Sequence, residues 1–149
     1  MIELGGCADG YWFDLTRTLV AGDHPGSVHL DMEQAIRHTS QAVYKAYSSG
    51  CRIAGQLAQI GLDALSQAGF KNGIVHGLGH GVGFAYHEAF PAIGPGSTDE
   101  IKPHMATSME PGIYIEGIGG MRIEENVLWK RDSITVLSDY HNRLTAWKE

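Results

Sequence analysis

The stretch "VHGLGHGVGFAYHEAF", residues 75–90, combines three histidines with a glycine at every second position from Gly77 to Gly83. Histidine is costly to bury without a partner, and glycine weakens both helices and strands. The spacing of His76 and His80 is typical of a metal-binding helix, but the glycines between them disfavour a helix there. The segment is therefore predicted to pass close to another group and to direct imidazole side chains at it.

Two kinds of group could lie against such a segment. Alternating glycines can cradle a phosphate, but a dinucleotide-binding fingerprint follows a strand and opens a helix, whereas this run leads into "FAYHEAF". A metal centre fits better, and hard carboxylates are the candidates for its other ligands. Four acidic residues in tight, structured contexts would complete a set suited to two divalent ions. They are Glu3, Asp14, Glu110 and Glu124.

The composition is that of an ordinary globular protein. Of its 149 residues, 43% are hydrophobic and 19% are charged, which suits one domain with a hydrophobic core. The net charge of -6 argues against non-specific nucleic-acid binding, and no apolar run is long enough to span a membrane. Two cysteines make no disulfide framework and the N-terminus lacks a basic signal-peptide start, so a cytoplasmic location is expected.

The pattern of elements predicts an α+β fold. Residues 1–5 and 10–19 read as two strands around a tight "GGCADG" connection. Apolar stripes of helical period predict helices over 28–48 and 53–68, and the chain from residue 74 onward reads as strands and loops. This order favours two helices packed on a mainly antiparallel curved sheet.

Four segments resemble the motif blocks of the pita-bread metallopeptidases, the family of methionine aminopeptidases, Xaa-Pro aminopeptidases and prolidases. In family order they are "GYWFDLTRT", "HGLGHGVGFAYHE", "SMEPGIYIEG" and "GMRIEENV". The resemblance spans the whole chain and implies a partial pita-bread fold. Residues 1–149 would then form a single domain, the C-terminal part of the catalytic domain, with its first half missing.

The resemblance also implies an activity: hydrolysis of the N-terminal peptide bond of peptides, of the Xaa-Pro type, by a water activated between two divalent ions. Manganese, cobalt, iron and zinc are the candidate ions. The partners implied are a peptide substrate and a second copy of the chain, which would associate through the exposed edge of the truncated sheet. Whether the chain is active without the first half stays open.

The resemblance assigns roles to individual residues. The metal ligands are Glu3, Asp14, His80, Glu110 and Glu124, with Asp14 and Glu124 bridging the ions. Glu110 also helps to activate the nucleophilic water, and His87 steadies the substrate or the tetrahedral intermediate. His76 and Arg122 match positions of the Xaa-Pro branch, where Arg122 would support the carboxylates and the polar end of the substrate.

One position departs from the family pattern, because Glu3 stands where the family has an aspartate. The extra methylene moves the carboxylate by about a bond length. This leaves three alternatives for the second ion: a different ion, a weakly bound one, or none. It also leaves open a non-peptidase hydrolase of a small amide or amidine, as in creatinase on the same scaffold, or a non-catalytic binding fold.

Overall fold

The computed structural model describes residues 1–22, 24–138 and 144–147. Its helices are α1 (Ser27–Ser48), α2 (Ala54–Gln67) and a short 3-10 helix (Lys71–Gly73). Its strands before and after the helices are β1 (Ile2–Ala8), β2 (Tyr11–Arg17), β3 (Leu19–Ala21), β4 (Gly79–Gly81), β5 (Glu88–Ile93), β6 (Ala106–Met109), β7 (Gly112–Ile115), β8 (Gly119–Arg122), β9 (Glu125–Trp129), β10 (Ile134–Val136) and β11 (Thr145–Trp147).

The strands form one larger sheet and three pairs. The larger sheet has the order β10-β9-β6-β4-β5, and all of its pairings are antiparallel. The pairs β1-β2 and β7-β8 are antiparallel, and β3 pairs with β11 in parallel. Two helices with mainly antiparallel sheets confirm the predicted α+β class.

Helix α1 buries the stripe that the sequence predicts, which consists of Met32, Ile36, Val43 and Tyr47. The ring of Tyr47 lies 4.6 Å from that of Trp129 on β9, and its hydroxyl donates a hydrogen bond to the carbonyl oxygen of Lys130. Both aromatic side chains are fully buried, and each such burial contributes roughly 1.5–3 kcal/mol. This contact fixes α1 against the five-stranded sheet that carries the histidine segment.

The first hairpin differs from the prediction. The strand predicted over residues 1–5 continues to Ala8, because Gly5 and Gly6 pair with Asp14 and Phe13 instead of turning. The turn consists only of Asp9 and Gly10, whose φ angles of 52° and 86° are those of a two-residue hairpin. The hairpin is therefore longer than expected, and it extends from the site to solvent.

The glycines of the histidine segment are required by close contact between backbones. A Cβ atom on Gly79 would lie 2.3 Å from the carbonyl oxygen of Ser108, and one on Gly81 would lie 2.3 Å from that of Phe90. The group that the segment passes is therefore the backbone of its neighbouring strands β5 and β6. His80 lies between these two glycines, so the backbone that carries its ring is held on both sides.

Strand β2 attaches the hairpin to the larger sheet. The amide of Asp14 donates to Oδ1 of Asn126 at 3.2 Å, and Nδ2 of Asn126 donates back to the carbonyl oxygen of Asp14. Two residues further along β2, Thr16 and Glu124 form an isolated antiparallel bridge. Glu124 therefore lies between β8 and β9, where it pairs with β2.

Candidate metal centre

Three side chains from the sheet region bring donor atoms together. His80 is on β4, Glu110 follows β6 and Glu124 lies between β8 and β9; one donor atom from each lies within 4.8 Å of the others. The Nε2 atom of His80 is 3.4 Å from Oε1 of Glu110. Two ligands bound to one ion at about 2.1 Å lie roughly 3.0–3.5 Å apart. The spacing therefore suits a shared divalent ion.

The histidine of this triad has its free nitrogen directed at the carboxylates. Nδ1 of His80 lies 2.9 Å from the carbonyl oxygen of Gly81, which can only accept, so Nδ1 carries the hydrogen. Nε2 is then the atom with the lone pair. It is buried and has no hydrogen-bond partner in the part of the chain that the structure describes. A buried polar atom without a partner costs about 1–3 kcal/mol, and a cation beside Nε2 would remove that cost.

Glu124 shows the same need for a cation. Its side chain is 1% exposed, and Thr16 donates a hydrogen bond of 2.6 Å to Oε2 while Oε1 has no partner. Burial, together with the charges of Glu110 and Asp14, raises the pKa of Glu124 to about 8. The raised pKa means that the charged form of this carboxyl is destabilised, because no counter-ion offsets its burial. The donor set therefore fits a divalent metal ion.

Asp14 and His87 form a second group with the same histidine. Oδ2 of Asp14 lies 3.6 Å from Nε2 of His80 and 3.3 Å from Nε2 of His87. The rings of the two histidines are 3.8 Å apart, and these three residues also offer donor atoms within 4.8 Å of one another. Asp14 is buried, whereas the side chain of His87 is 61% exposed. The structure thus brings His87 to the site at its open side.

Glu3 lies near the site but belongs to neither group of donor atoms. Arg122 forms an ion pair with Oε2 of Glu3, and the hydroxyl of Tyr86 lies 3.1 Å from Oε1. The side chain is 46% exposed. The structure therefore places this predicted ligand among hydrogen-bond partners rather than among the atoms grouped around His80.

His76 and Arg122 are joined to the site through Tyr114. Nδ1 of His76 lies 2.7 Å from the carbonyl oxygen of Gly77, so its Nε2 accepts the hydrogen bond of 2.8 Å from the Tyr114 hydroxyl. NH1 of Arg122 donates to the same hydroxyl at 3.5 Å, and its Nε donates to Thr16 at 3.0 Å. Among the described residues, the hydrogen-bonding contacts of His76 are therefore with Gly77 and Tyr114 and not with a carboxylate.

Sequence reasoning missed several residues that hold the ligands. Tyr86 donates to Oδ1 of Asp14 at 2.9 Å, and Ser108 binds both the amide of His80 and Oε1 of Glu110. Thr16 was also missed, although it stands two residues after Asp14 in a strand and so points to the same face. The alternation of side chains along a strand could therefore have identified Thr16, whereas no sequence pattern indicated Tyr86.

Comparison with known proteins identifies the family to which this sequence and fold belong. Residues 1–131 match the metallopeptidase family M24. The match covers most of the chain, so the chain belongs to this family. The pita-bread resemblance predicted from the four sequence blocks is thereby confirmed.

Individual relatives support the same placement. The chain is 35% identical over 125 residues to an Xaa-Pro dipeptidase of Lactobacillus helveticus, a match that covers 84% of this chain and 33% of that protein. The crystal structure of a dipeptidase from Pyrococcus horikoshii OT3 matches with a TM-score of 0.86 and 27% identity, over 97% of this chain and 40% of that one. Dipeptidase PepE from Mycobacterium ulcerans matches with a TM-score of 0.85 and 32% identity, over 97% and 38%.

The chain therefore spans between a third and two fifths of the length of these relatives. Among the described residues, no helix is long and apolar enough to cross a membrane.

Proposed function

We propose that this chain carries the metal centre of a peptidase that hydrolyses the N-terminal peptide bond of peptides of the Xaa-Pro type. The observation that carries the proposal is the triad of His80, Glu110 and Glu124, in which two buried donor atoms have no hydrogen-bond partner among the described residues. Family membership and relatives named Xaa-Pro dipeptidase support the substrate class.

The donor set favours a hard divalent ion. Carboxylate oxygens outnumber the single buried imidazole, and such sets suit manganese, with cobalt, iron and zinc as further candidates. The ligands implied by the resemblance are Glu3, Asp14, His80, Glu110 and Glu124, for two ions. When bound, a divalent ion supplies Lewis-acid polarisation of the peptide carbonyl and makes water more acidic.

Glu110 is the proposed general base. Its side chain is 16% exposed against 1% for Glu124, so it can reach both the buried ligands and a substrate at the surface. Ser108 donates to Oε1 at 3.3 Å, while Oε2 lies 4.0 Å from Nε of Arg122, beyond hydrogen-bond range. Oε2 is therefore the oxygen that takes a proton from the attacking water.

His87 is the proposed donor to the substrate. Its ring stacks on that of Tyr86 at 4.8 Å and is tilted against that of His80 at 3.8 Å, while its side chain stays largely exposed. In this position an N–H of the ring can hydrogen-bond to the carbonyl oxygen as negative charge develops on it. His76 and Arg122 are proposed as positioning residues. His76 contacts the hydroxyl of Tyr114, and the same hydroxyl helps to hold Arg122 beside the carboxylates.

Hydrolysis assays test the proposal. The metal-loaded chain should release the first residue from Xaa-Pro peptides, and Glu110→Gln, assayed at a Mn²⁺ concentration raised until the variant is loaded, should lower kcat at least about 100-fold. His38→Gln, on the exposed face of α1, is the matched control and should leave kcat unchanged.

Other outcomes of the same assays would favour the alternatives. Turnover of small amides or amidines, with Xaa-Pro peptides untouched at full metal loading, would show a creatinase-like hydrolase and overturn the peptidase. Peptide binding without turnover of either class, and without metal, would show a binding fold.

The cellular setting and assembly are part of the proposal. Cys7 is exposed and Cys51 is half-buried, and both are free thiols, which suits a reducing compartment such as the cytoplasm. The face of the hairpin opposite the site is apolar and at least 37% exposed; it consists of Ile2, Leu4, Tyr11 and Phe13. A second copy of the chain would cover this face, and light scattering that shows a monomer at all concentrations would exclude such a dimer.

A further inference from the structure

The two groups of candidate ligands share one atom. Asp14, His80 and His87 form one group, and His80, Glu110 and Glu124 form the other. In both, the nitrogen that faces the carboxylates is Nε2 of His80. A neutral imidazole offers a single lone pair, so Nε2 can ligate one ion at a time. The two groups therefore cannot both be completed, and a second ion would need another ligand.

Glu3 is the residue that the family pattern offers for a second ion, but both of its oxygens are already engaged. Oε2 pairs with Arg122, and Oε1 lies 3.1 Å from the hydroxyl of Tyr86. The guanidinium neutralises the charge of Glu3. Glu124, in contrast, is buried and has one oxygen, Oε1, without a hydrogen-bond partner among the described residues. The need for a cation is thus confined to the triad of His80, Glu110 and Glu124.

Tyr86 occupies the space between Glu3 and Asp14. Its ring lies directly on Gly5, where a Cβ atom would come within 2.1 Å of it. Gly5 pairs with Asp14, and Glu3 lies two positions along the same face, so the ring covers the surface from which an ion would reach both carboxylates. From there the hydroxyl contacts Glu3 at 3.1 Å and Oδ1 of Asp14 at 2.9 Å.

We infer that this chain binds one divalent ion rather than two, and that Tyr86 and Arg122 take the place of the second ion by holding Glu3. The inference rests on the proposed metal centre. The single ion lies among His80, Glu110 and Glu124, with Oδ2 of Asp14 next to it. Tyr86 is a positioning residue: its hydrogen bond to Oδ1 leaves Oδ2 directed at the ion.

Counting bound manganese in matched carboxylate variants tests the inference. Equilibrium dialysis of the wild-type chain against Mn²⁺ gives the number of sites and their affinity, and electron paramagnetic resonance distinguishes isolated ions from coupled pairs. Glu3→Gln and Glu124→Gln each remove one charge with little change in shape. Circular dichroism checks that both variants fold.

The inference predicts one equivalent of Mn²⁺, with the spectrum of an isolated ion, in both the wild-type chain and Glu3→Gln. The affinity of Glu3→Gln should differ from wild type by less than about fivefold, since its ion pair is half-exposed. Glu124→Gln should bind no ion at the same concentration.

Two equivalents in the wild-type chain, with one lost in Glu3→Gln, would overturn the inference while leaving the proposed function intact. One equivalent in wild type and none in Glu3→Gln would also overturn it, because Glu3 would then be a ligand. No metal in the wild-type chain would remove the proposed metal centre itself.

Discussion

The acidic side chains of the site, Glu3, Asp14, Glu110 and Glu124, form a cluster, and the two ends of this cluster balance their charges in different ways. At the sheet end, Glu124 and Nε2 of His80 are buried beside one another, and polar atoms there lack partners. At the hairpin end, Glu3 is half-exposed and is paired by Arg122 and Tyr86. A glutamate therefore indicates a bound ion at position 124, whereas the glutamate at position 3 already has its counter-ion in Arg122.

This difference follows from the scaffold. Strand β4 lies between β5 and β6, so His80 cannot move away from the carboxylates. At the hairpin end, in the described residues, strand β1 pairs only with β2. Its side chains can therefore change their contacts more easily than that of His80. Unsatisfied polar atoms in a rigid, buried position call for an explanation, and a bound ion is one that fits this donor set.

The largest predicted effect is the dependence of stability on pH at the sheet end. In the metal-free chain the pKa of Glu124 is about 8 when folded and 4.5 when unfolded. Between these values the unfolded state has lost a proton that the folded state keeps, so stability falls as pH rises from about 4.5 to 8. The loss is on the order of 2–5 kcal/mol, measurable by urea unfolding in the presence of a chelator.

Matched variants assign that pH dependence to one end of the cluster. Glu124→Gln should flatten the fall, because the amide has no proton to lose, whereas Glu3→Gln should retain it. Saturating Mn²⁺ should also remove the fall, since metal binding holds the carboxylate in its charged form. An equal fall in Glu124→Gln would show that the sheet end is not its source.

A pair of glycine variants compares the rigidity of the two ends. In Gly79→Ala the new methyl group would meet the carbonyl oxygen of Ser108 in the centre of the sheet, where the backbone cannot shift. In Gly5→Ala it would meet the ring of Tyr86, which is a partly exposed side chain and not backbone. We expect a loss of about 3 kcal/mol of unfolding free energy for Gly79→Ala and less than about 1 kcal/mol for Gly5→Ala.

Thermal and urea unfolding of the two variants supplies the comparison. Neither glycine has a positive φ, so the two substitutions differ in the available space and not in backbone strain. Equal losses of stability would mean that the hairpin end is as rigid as the sheet, which the account excludes.

A smaller effect is expected when the phenol that holds Asp14 is removed. Tyr86→Phe keeps the ring over Gly5 and its stacking on His87, but it deletes the hydrogen bond to Oδ1 of Asp14. Loss of a hydrogen bond to a ligand lowers metal affinity by about 10-fold. Calorimetric titration with Mn²⁺ measures the change.

The control for that experiment is Tyr44→Phe, whose hydroxyl is buried on α1 and packs near Trp129. It should leave the affinity for Mn²⁺ unchanged. A Tyr86→Phe chain that binds Mn²⁺ as tightly as wild type would show that the phenol does not position Asp14.

The sequence predicted what depends on local pattern. The stripe of α1, the antiparallel sheets and the four motif blocks could all be read from spacing, because side-chain period determines which face is buried. The blocks also pointed to His80, Glu110 and Glu124, which the structure brings together.

The rest depends on contacts between distant segments. The ion pair of Glu3 with Arg122 joins residues at opposite ends of the chain, and the position of Tyr86 depends on the hairpin lying under it. Gly5 and Gly6 were predicted to form a turn, but they lie within strand β1. Its partner strand contains Trp12 and Phe13, residue types that favour sheets. Spacing along one chain does not contain that information.

The most direct test of the central claim, that His80, Glu110 and Glu124 bind a divalent ion, is the metal content of the purified chain. Elemental analysis after loading with Mn²⁺ and removal of excess should be carried out beside the double variant His80→Ala, Glu124→Ala. The account predicts one equivalent in the wild-type chain and none in the variant. Equal metal in both, or none in the wild-type chain even after Mn²⁺ or Co²⁺ is added, would contradict it.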